Sequence, residues 1–283
     1  MADDIIEFKP GFGPFKLNVN ALGRRFSKLG QEDPVALVAK RFLQLFKDHG
    51  VVISQIPRLM PHLSLDKLRS IDSLIPALLP DVLESAAIFF GVRLAWLEGV
   101  DDQIYEPLNC YKNPGVFFDN LSSLTVPTIG FAVRAISTTK KLDRRKDQEQ
   151  LLALVLVEKI KDLCSEEIHR YRVYCDTWDW SHPPCRIQLK AMARITYQLT
   201  QRPVPLHQAK PEELQAIVTG KYVPHTALQG CLLTSPSLED FALSRGESAQ
   251  SQEADELPEV LDYIRHNQLE KVAREKCRNI LSE

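Results

Sequence analysis

From residue 35 the apolar positions fall at three- and four-residue steps. Val35, Val38, Phe42, Leu45 and Phe46 share one face of a helix, as a period near 3.6 requires. Asp33 suits the N-cap, Pro34 the first helical position and Gly50 the stop. Punctuation then cuts the chain into short pieces. Ser54 caps a piece reaching residue 60, and Pro61 stops it. Ser64 caps 65–71, with Lys67 at N3, and Pro76 and Pro80 break the chain again. Residues 81–90 end at Gly91, and 93–97 make a last turn before Gly99. The pattern predicts five short helices between 34 and 99, with no strand among them.

After Tyr105 the pattern changes. Residues 125–137 (TVPTIGFAVRAIS) are rich in Val, Ile, Thr and Phe and predict a strand. Residues 140–146 form a basic connection, read as a solvated loop. The apolar run 151–163 fits both a buried strand and a helix, because periodicity alone does not separate the two. Residues 168–175 alternate, with Tyr171, Val173 and Cys175 on one face. Pro183-Pro184 opens a helix, and 211–219 (PEELQAIVT) another, with Gly220 as its C-cap. Residues 235–256 are polar, Ser-, Gln- and acid-rich, and predict a flexible linker. Residues 257–281 form an amphipathic helix with acids early and cations late, matching the helix dipole.

The expected fold is therefore a mainly α N-terminal five-helix domain, an α+β C-terminal domain and a C-terminal helix. The boundaries are an N-terminal arm over 1–33, a helical domain over 34–105, an α+β domain over 106–234, the linker over 235–256 and the last helix over 257–283. The last helix docks on its own domain or on a partner; the pattern leaves both open.

Composition narrows the function classes. The chain has 283 residues, 44 % apolar and 25 % charged, which is ordinary for a globular protein. No apolar run approaches the roughly 20 residues of a membrane span. The acidic start, Met1-Ala2-Asp3-Asp4, is not that of a signal peptide. Six cysteines without framework spacing are expected to be reduced, which points to the cytoplasm. A net charge of −2 argues against a polybasic protein but leaves room for one local basic face.

Two stretches carry a resemblance. Val51-Val52-Ile53-Ser54-Gln55-Ile56 resembles the start of the second helix of Cro/C1-type (XRE-like) helix-turn-helix domains. Residues 79–99 (LPDVLESAAIFFGVRLAWLEG) are similar to that family's last two helices. The resemblance covers 35–99 only and implies a helix-turn-helix fold that binds double-stranded DNA. Residues 64–72 would be the recognition helix, its N-terminal residues reaching base edges in the major groove. Ser64, Asp66, Lys67, Arg69 and Ser70 would face DNA, with Gln55 and Arg58 on the backbone. Two departures accompany it. The turn is Met60-Pro61-His62-Leu63, and 73–80 is longer and more apolar than the usual loop. Residues 1–72 hold eleven Lys and Arg against eight Asp and Glu, a net +3, modest for a phosphate binder.

The reading implied is a DNA-binding transcriptional regulator, a homodimer on paired half-sites, whose α+β domain senses a small-molecule effector or mediates assembly. The alternative is an adaptor that uses the helix-turn-helix scaffold for protein contact. A candidate anionic-ligand cluster comprises Arg170, Arg172, Trp178 and Arg186, with Arg as the bidentate donor. Cys164, His169, Cys175, His182 and Cys185 lack paired metal-ligand spacing, so no metal is expected. GxSxG, GxGxxG and HExxH are absent; no enzyme activity and no cofactor are expected.

Overall fold

The computed structural model describes residues 33–124, 130–164, 166–229, 236–248 and 251–278. Residues 1–32 of the N-terminal arm, with Arg24, Arg25 and Lys28, lie outside them. Among the described residues the chain forms eleven α-helices and one five-stranded mixed sheet, and no single helix is long and apolar enough to cross a membrane.

The helical unit begins at α1 (Pro34–Asp48). The Asp33 carboxylate accepts the Val35 N–H at 3.0 Å, satisfying one of the donors a helix start leaves open. Ala39, Phe42, Leu45 and Phe46 are its buried face. A 3-10 turn (Ile53–Gln55) runs into α2 (Ile56–Leu59), and α3 (Ile71–Leu74) precedes a second turn at Ile75–Ala77. Then come α4 (Pro80–Phe90) and α5 (Leu94–Leu97).

The expected recognition helix does not form. Between Ser64 and Arg69 the backbone closes i-to-i+3 turns, from Lys67 N–H to Ser64 and from Leu68 N–H to Leu65. At Ser70 the chain is extended (φ −151°, ψ 164°), and Ser70 and Ser73 cap each other's backbone N–H groups to start α3. An extended N-cap ends any helix arriving from its N-terminal side, so the capping serine is Ser70 rather than Ser64.

The α+β part opens with α6 (Pro114–Ser122). Strands β1 (Gly130–Ser137), β2 (Leu151–Leu163) and β3 (Glu166–Val173) form an antiparallel meander, and the short β4 (Trp178–Asp179) pairs with the start of β2. Residues 125–129 of the expected first strand lie outside the described residues. The run at 151–163 is strand throughout. From 152 to 157 both faces of β2 are covered, which is why that stretch reads as continuously apolar rather than alternating. After α7 (Pro183–Thr200), strand β5 (Leu206–Gln208) returns parallel to β1, giving the order β3-β2-β1-β5. Helices α8 (Pro211–Val218) and α9 (His225–Gln229) follow.

The sheet divides two cores. On one face Ile136, Ala153, Val155, Tyr171 and Val173 meet Phe42, Phe46 and Phe90 of the helical unit and Leu214 and Ile217 of α8. The helical unit thus shares its core with the sheet. Gly220 secures the junction: its carbonyl accepts the N–H groups of Ile104 and Tyr105 at 2.7 and 3.0 Å. On the other face Leu152, Leu154 and Leu156 meet Phe117, Phe118, Leu189 and Met192.

The expected flexible linker is packed where it is described. Leu238, Phe241, Ala242 and Leu243 are buried, and the acids of this stretch face the cations of α7. Arg186 binds the Glu256 carboxylate at 2.6 Å. Lys190, fully buried, binds Glu253 at 2.7 Å and Glu256 at 2.6 Å, and Arg194 binds Glu247 at 2.6 Å. The last helix is two, α10 (Leu257–His266) and α11 (Leu269–Lys276), hinged at Gln268 (φ 49°). Val260, Ile264, Leu269 and Ala273 join the second core, so within this chain the helix pair docks on α6 and α7.

Candidate functional site

The residues expected to touch DNA are placed as follows. The Gln55 side chain accepts the Val52 N–H at 3.2 Å. Arg58 turns toward the β2–β3 hairpin and donates to the Cys164 sulfur at 3.1 Å. The Ser70 hydroxyl caps α3. Ser64, Asp66, Lys67 and Arg69 are exposed on the turn. The Ser64 hydroxyl beside Asp66 lowers its carboxyl pKa. Lys67 and Arg69 make no ion pair among the described residues. They present two cations, but from turn backbone rather than from a helix.

The second cluster is not assembled. Arg170 and Arg172 do come together, at 3.0 and 3.6 Å from the buried Glu158 carboxylate. Arg172 also donates to the Ser123 hydroxyl at 2.8 Å. Trp178 is sealed in the second core, and the Arg186 guanidinium is held by Glu256 and the Trp180 carbonyl. Acids from distant segments already neutralise these arginines. Among the described residues no three metal-ligating side chains converge.

A cavity lies elsewhere, where the sheet extends past the helical unit that covers it. Its volume is about 550 Å³. The floor is the uncovered end of the first sheet face, with Arg134 of β1, Val157 of β2, and His169 and Tyr171 of β3. His49 and Gly50, at the end of α1, and His225 and Gln229 of α9 form the walls. A second lobe of about 360 Å³ continues over Phe131, Ala132, Arg202 and Pro203, and shares Arg134, Val157, Glu167 and His169 with the first.

Hydrogen bonds fix the imidazoles. His49 Nδ1 lies 2.7 Å from the Leu45 carbonyl, so that nitrogen carries the proton and donates. Its Nε2 then accepts from the Tyr105 hydroxyl at 3.1 Å. His225 Nδ1 meets the Tyr171 hydroxyl at 2.8 Å, and its Nε2 meets the Gln229 amide at 2.7 Å. His169 leans on Glu167 at 3.3 Å, and Lys159 holds the same carboxylate at 2.9 Å.

All three imidazoles are driven toward the neutral form. Burial pushes His49 down to about 3, the Leu45 carbonyl opposing and His225 adding to the shift. Burial also lowers His225, helped by His169 and opposed by Glu166. His169 falls through burial too, against the pull of Glu167. Burial lowers Arg134 as well, with Glu167 opposing, but a guanidinium stays charged in proteins. Arg134 is half-buried and makes no hydrogen bond or ion pair among the described residues. One guanidinium without a hydrogen-bond partner thus sits beside neutral imidazoles, with the Glu167 charge acting on it at longer range.

His169 is the one of these groups that the sequence offers as a candidate ligand; Gly50, Tyr105 and Tyr171 are legible there only as parts of the helix and strand pattern. One signal was there: Arg134 stands in phase with Ala132 and Ile136, on the core-facing side of a strand.

No family model matches the chain, and neither a curated protein nor a solved structure matches it. The cleft and its residues rest on this chain's own geometry.

Proposed function

We propose that the protein is a ligand-responsive regulator, with the cleft as its input and the helical unit as its output. The observation that carries this is that the cleft has walls from both parts of the chain. His49 and Gly50 come from the end of α1, while Arg134, His169 and Tyr171 come from the sheet. A molecule bound there touches the helical unit and the sheet at once, so differential affinity for their relative arrangement becomes a coupling between sites.

Double-stranded DNA is the proposed target of the output. Helices α1, α2, α4 and α5 follow one another around one core at four of the five helix positions of the resemblance, the recognition helix being replaced by turns, and Lys67 and Arg69 stand exposed on those turns. The test is selection of fragmented genomic DNA on the purified protein at two salt concentrations. Specific, salt-sensitive enrichment that is lost in a Lys67→Ala/Arg69→Ala double variant supports the reading. Absence of enrichment at low salt, with and without a cleft ligand, overturns it.

A second reading, an adaptor that binds a partner protein through the same unit, is favoured by two observations. Residues 64–69 form turns rather than a recognition helix. Residues 33–105 hold seven Lys and Arg against nine Asp and Glu, a net negative charge that repels phosphate.

A further inference from the structure

We infer that the cleft binds a small molecule through a single carboxylate, gripped by Arg134. The inference rests on reading the cleft as a ligand site and adds the chemical class of the ligand.

A guanidinium presents its donors in a planar fork that matches a carboxylate bidentately. Two other buried arginines show this preference: Arg186 reaches both oxygens of Glu256, and Arg194 both oxygens of Glu247. Arg134 has no such acid among the described residues, yet it stands on a largely covered sheet face and lines both lobes of the cleft. Glu167 acts on it only at longer range; leaving the donors of a half-buried guanidinium without a hydrogen-bonded acceptor is costly, and a ligand carboxylate would supply one.

Charge count separates a monoanion from a polyanion. Lys159, the next cation on the floor, is already held by Asp162 at 2.8 Å and Glu167 at 2.9 Å. Arg202 donates to the Phe131 carbonyl and lies over its ring. Glu166 and Glu167 also line the first lobe. One free guanidinium beside two carboxylates suits one negative charge and repels a phosphate dianion or a nucleotide chain. The remaining walls divide the ligand in two. His169, the Tyr171 hydroxyl and the Gln229 amide in the first lobe supply donors and acceptors to a polar end, and His225, both of whose nitrogens are bonded, holds the last two in place. Ala132, Val157 and Pro203 in the second receive an apolar end.

The experiment follows the imidazole carbon–proton signals of the full chain by NMR. The probes are benzoate and butyrate, each paired with its neutral amide, and inorganic phosphate. At least one carboxylate is expected to shift the His169 and His225 signals saturably while its amide does not. Arg134→Gln should weaken that binding at least tenfold with thermal stability retained, and Arg134→Lys should fall between, since it keeps the charge and loses the fork. The inference is overturned if neither carboxylate binds, if phosphate binds in their place, or if Arg134→Gln binds as the wild type does. Binding of a carboxylate that leaves DNA and partner capture unchanged would keep this inference and sink the regulatory reading. Specific DNA capture without carboxylate binding would do the reverse.

Discussion

Gly50 and His225 stand closer than any other residue at position 50 would allow. A Cβ there would lie 2.7 Å from His225 Nε2, and the backbone has φ +78°. The contact brings the end of α1 against α9 and closes one wall of the cleft. Gly50→Ala is expected to cost about 1–2 kcal/mol from the left-handed backbone alone. It should also push His225 off Tyr171 and Gln229. Denaturant titration and the His225 imidazole signals check both; an unmoved His225 signal would show that the contact does not position it.

The neutral imidazoles set a pH dependence. His49 is held down to about 3 by burial, whereas in the unfolded chain it titrates near its ordinary value of about 6.5. Between those values the unfolded state binds a proton that the native state does not, so stability falls as pH falls. One such group contributes about 1.4 kcal/mol per pH unit at most. Denaturation at pH 7.5, 6 and 5 should show this slope, and His49→Gln should flatten it. A slope unchanged in the variant would assign it to His169 and His225, which shift in the same direction.

Glu256 is the hub of the buried ion network. Burial pushes its carboxyl up, but Arg186, Lys190 and Arg144 outweigh that and hold it at about 2. Its contribution is present above the ordinary glutamate value of about 4.3 and lost as pH falls toward 2. Glu256→Gln leaves Arg186 and Lys190 with a broken set of partners inside the protein, which is expected to cost about 3–5 kcal/mol. Glu259→Gln, an exposed neighbour on α10, is the matched control and should change stability by less than about 0.5 kcal/mol.

Phe241 tests whether residues 236–248 belong to the core. It is 4 % exposed and packs edge-on against Trp180, the ring centroids 5.0 Å apart. Phe241→Ala is expected to cost about 3–5 kcal/mol. A change within experimental error would mean that the segment is dispensable, as a linker would be.

The elements legible in the sequence were those whose signals are local. Asp33-Pro34, Pro183-Pro184 and Pro211 each announce a helix that forms, because cap and first-turn chemistry needs no tertiary partner. The segment 64–72 misled because Leu65, Leu68 and Ile71 recur every three residues, which suits successive i-to-i+3 turns as well as a helix. Residues 235–256 misled for an electrostatic reason. Glu247, Glu253 and Glu256 carry the composition of a solvated linker, and nothing nearby in sequence shows that their partners are cations on the buried face of α7. The cleft was least legible, since its walls come from α1, β1, β3 and α9, and only the fold brings those segments together.

The ion pairs under α7 impose an order on biosynthesis. Lys190 and Glu256 lie 66 positions apart. At translation speeds of about 5–20 residues per second, roughly 3–13 s separate the addition of the lysine from that of its glutamate. During that interval α7 exists with its cations but without the acids that let them be buried. The second face of the sheet therefore closes only after Glu253 and Glu256 have been added, and the nascent protein depends on residues 236–278 to complete that core.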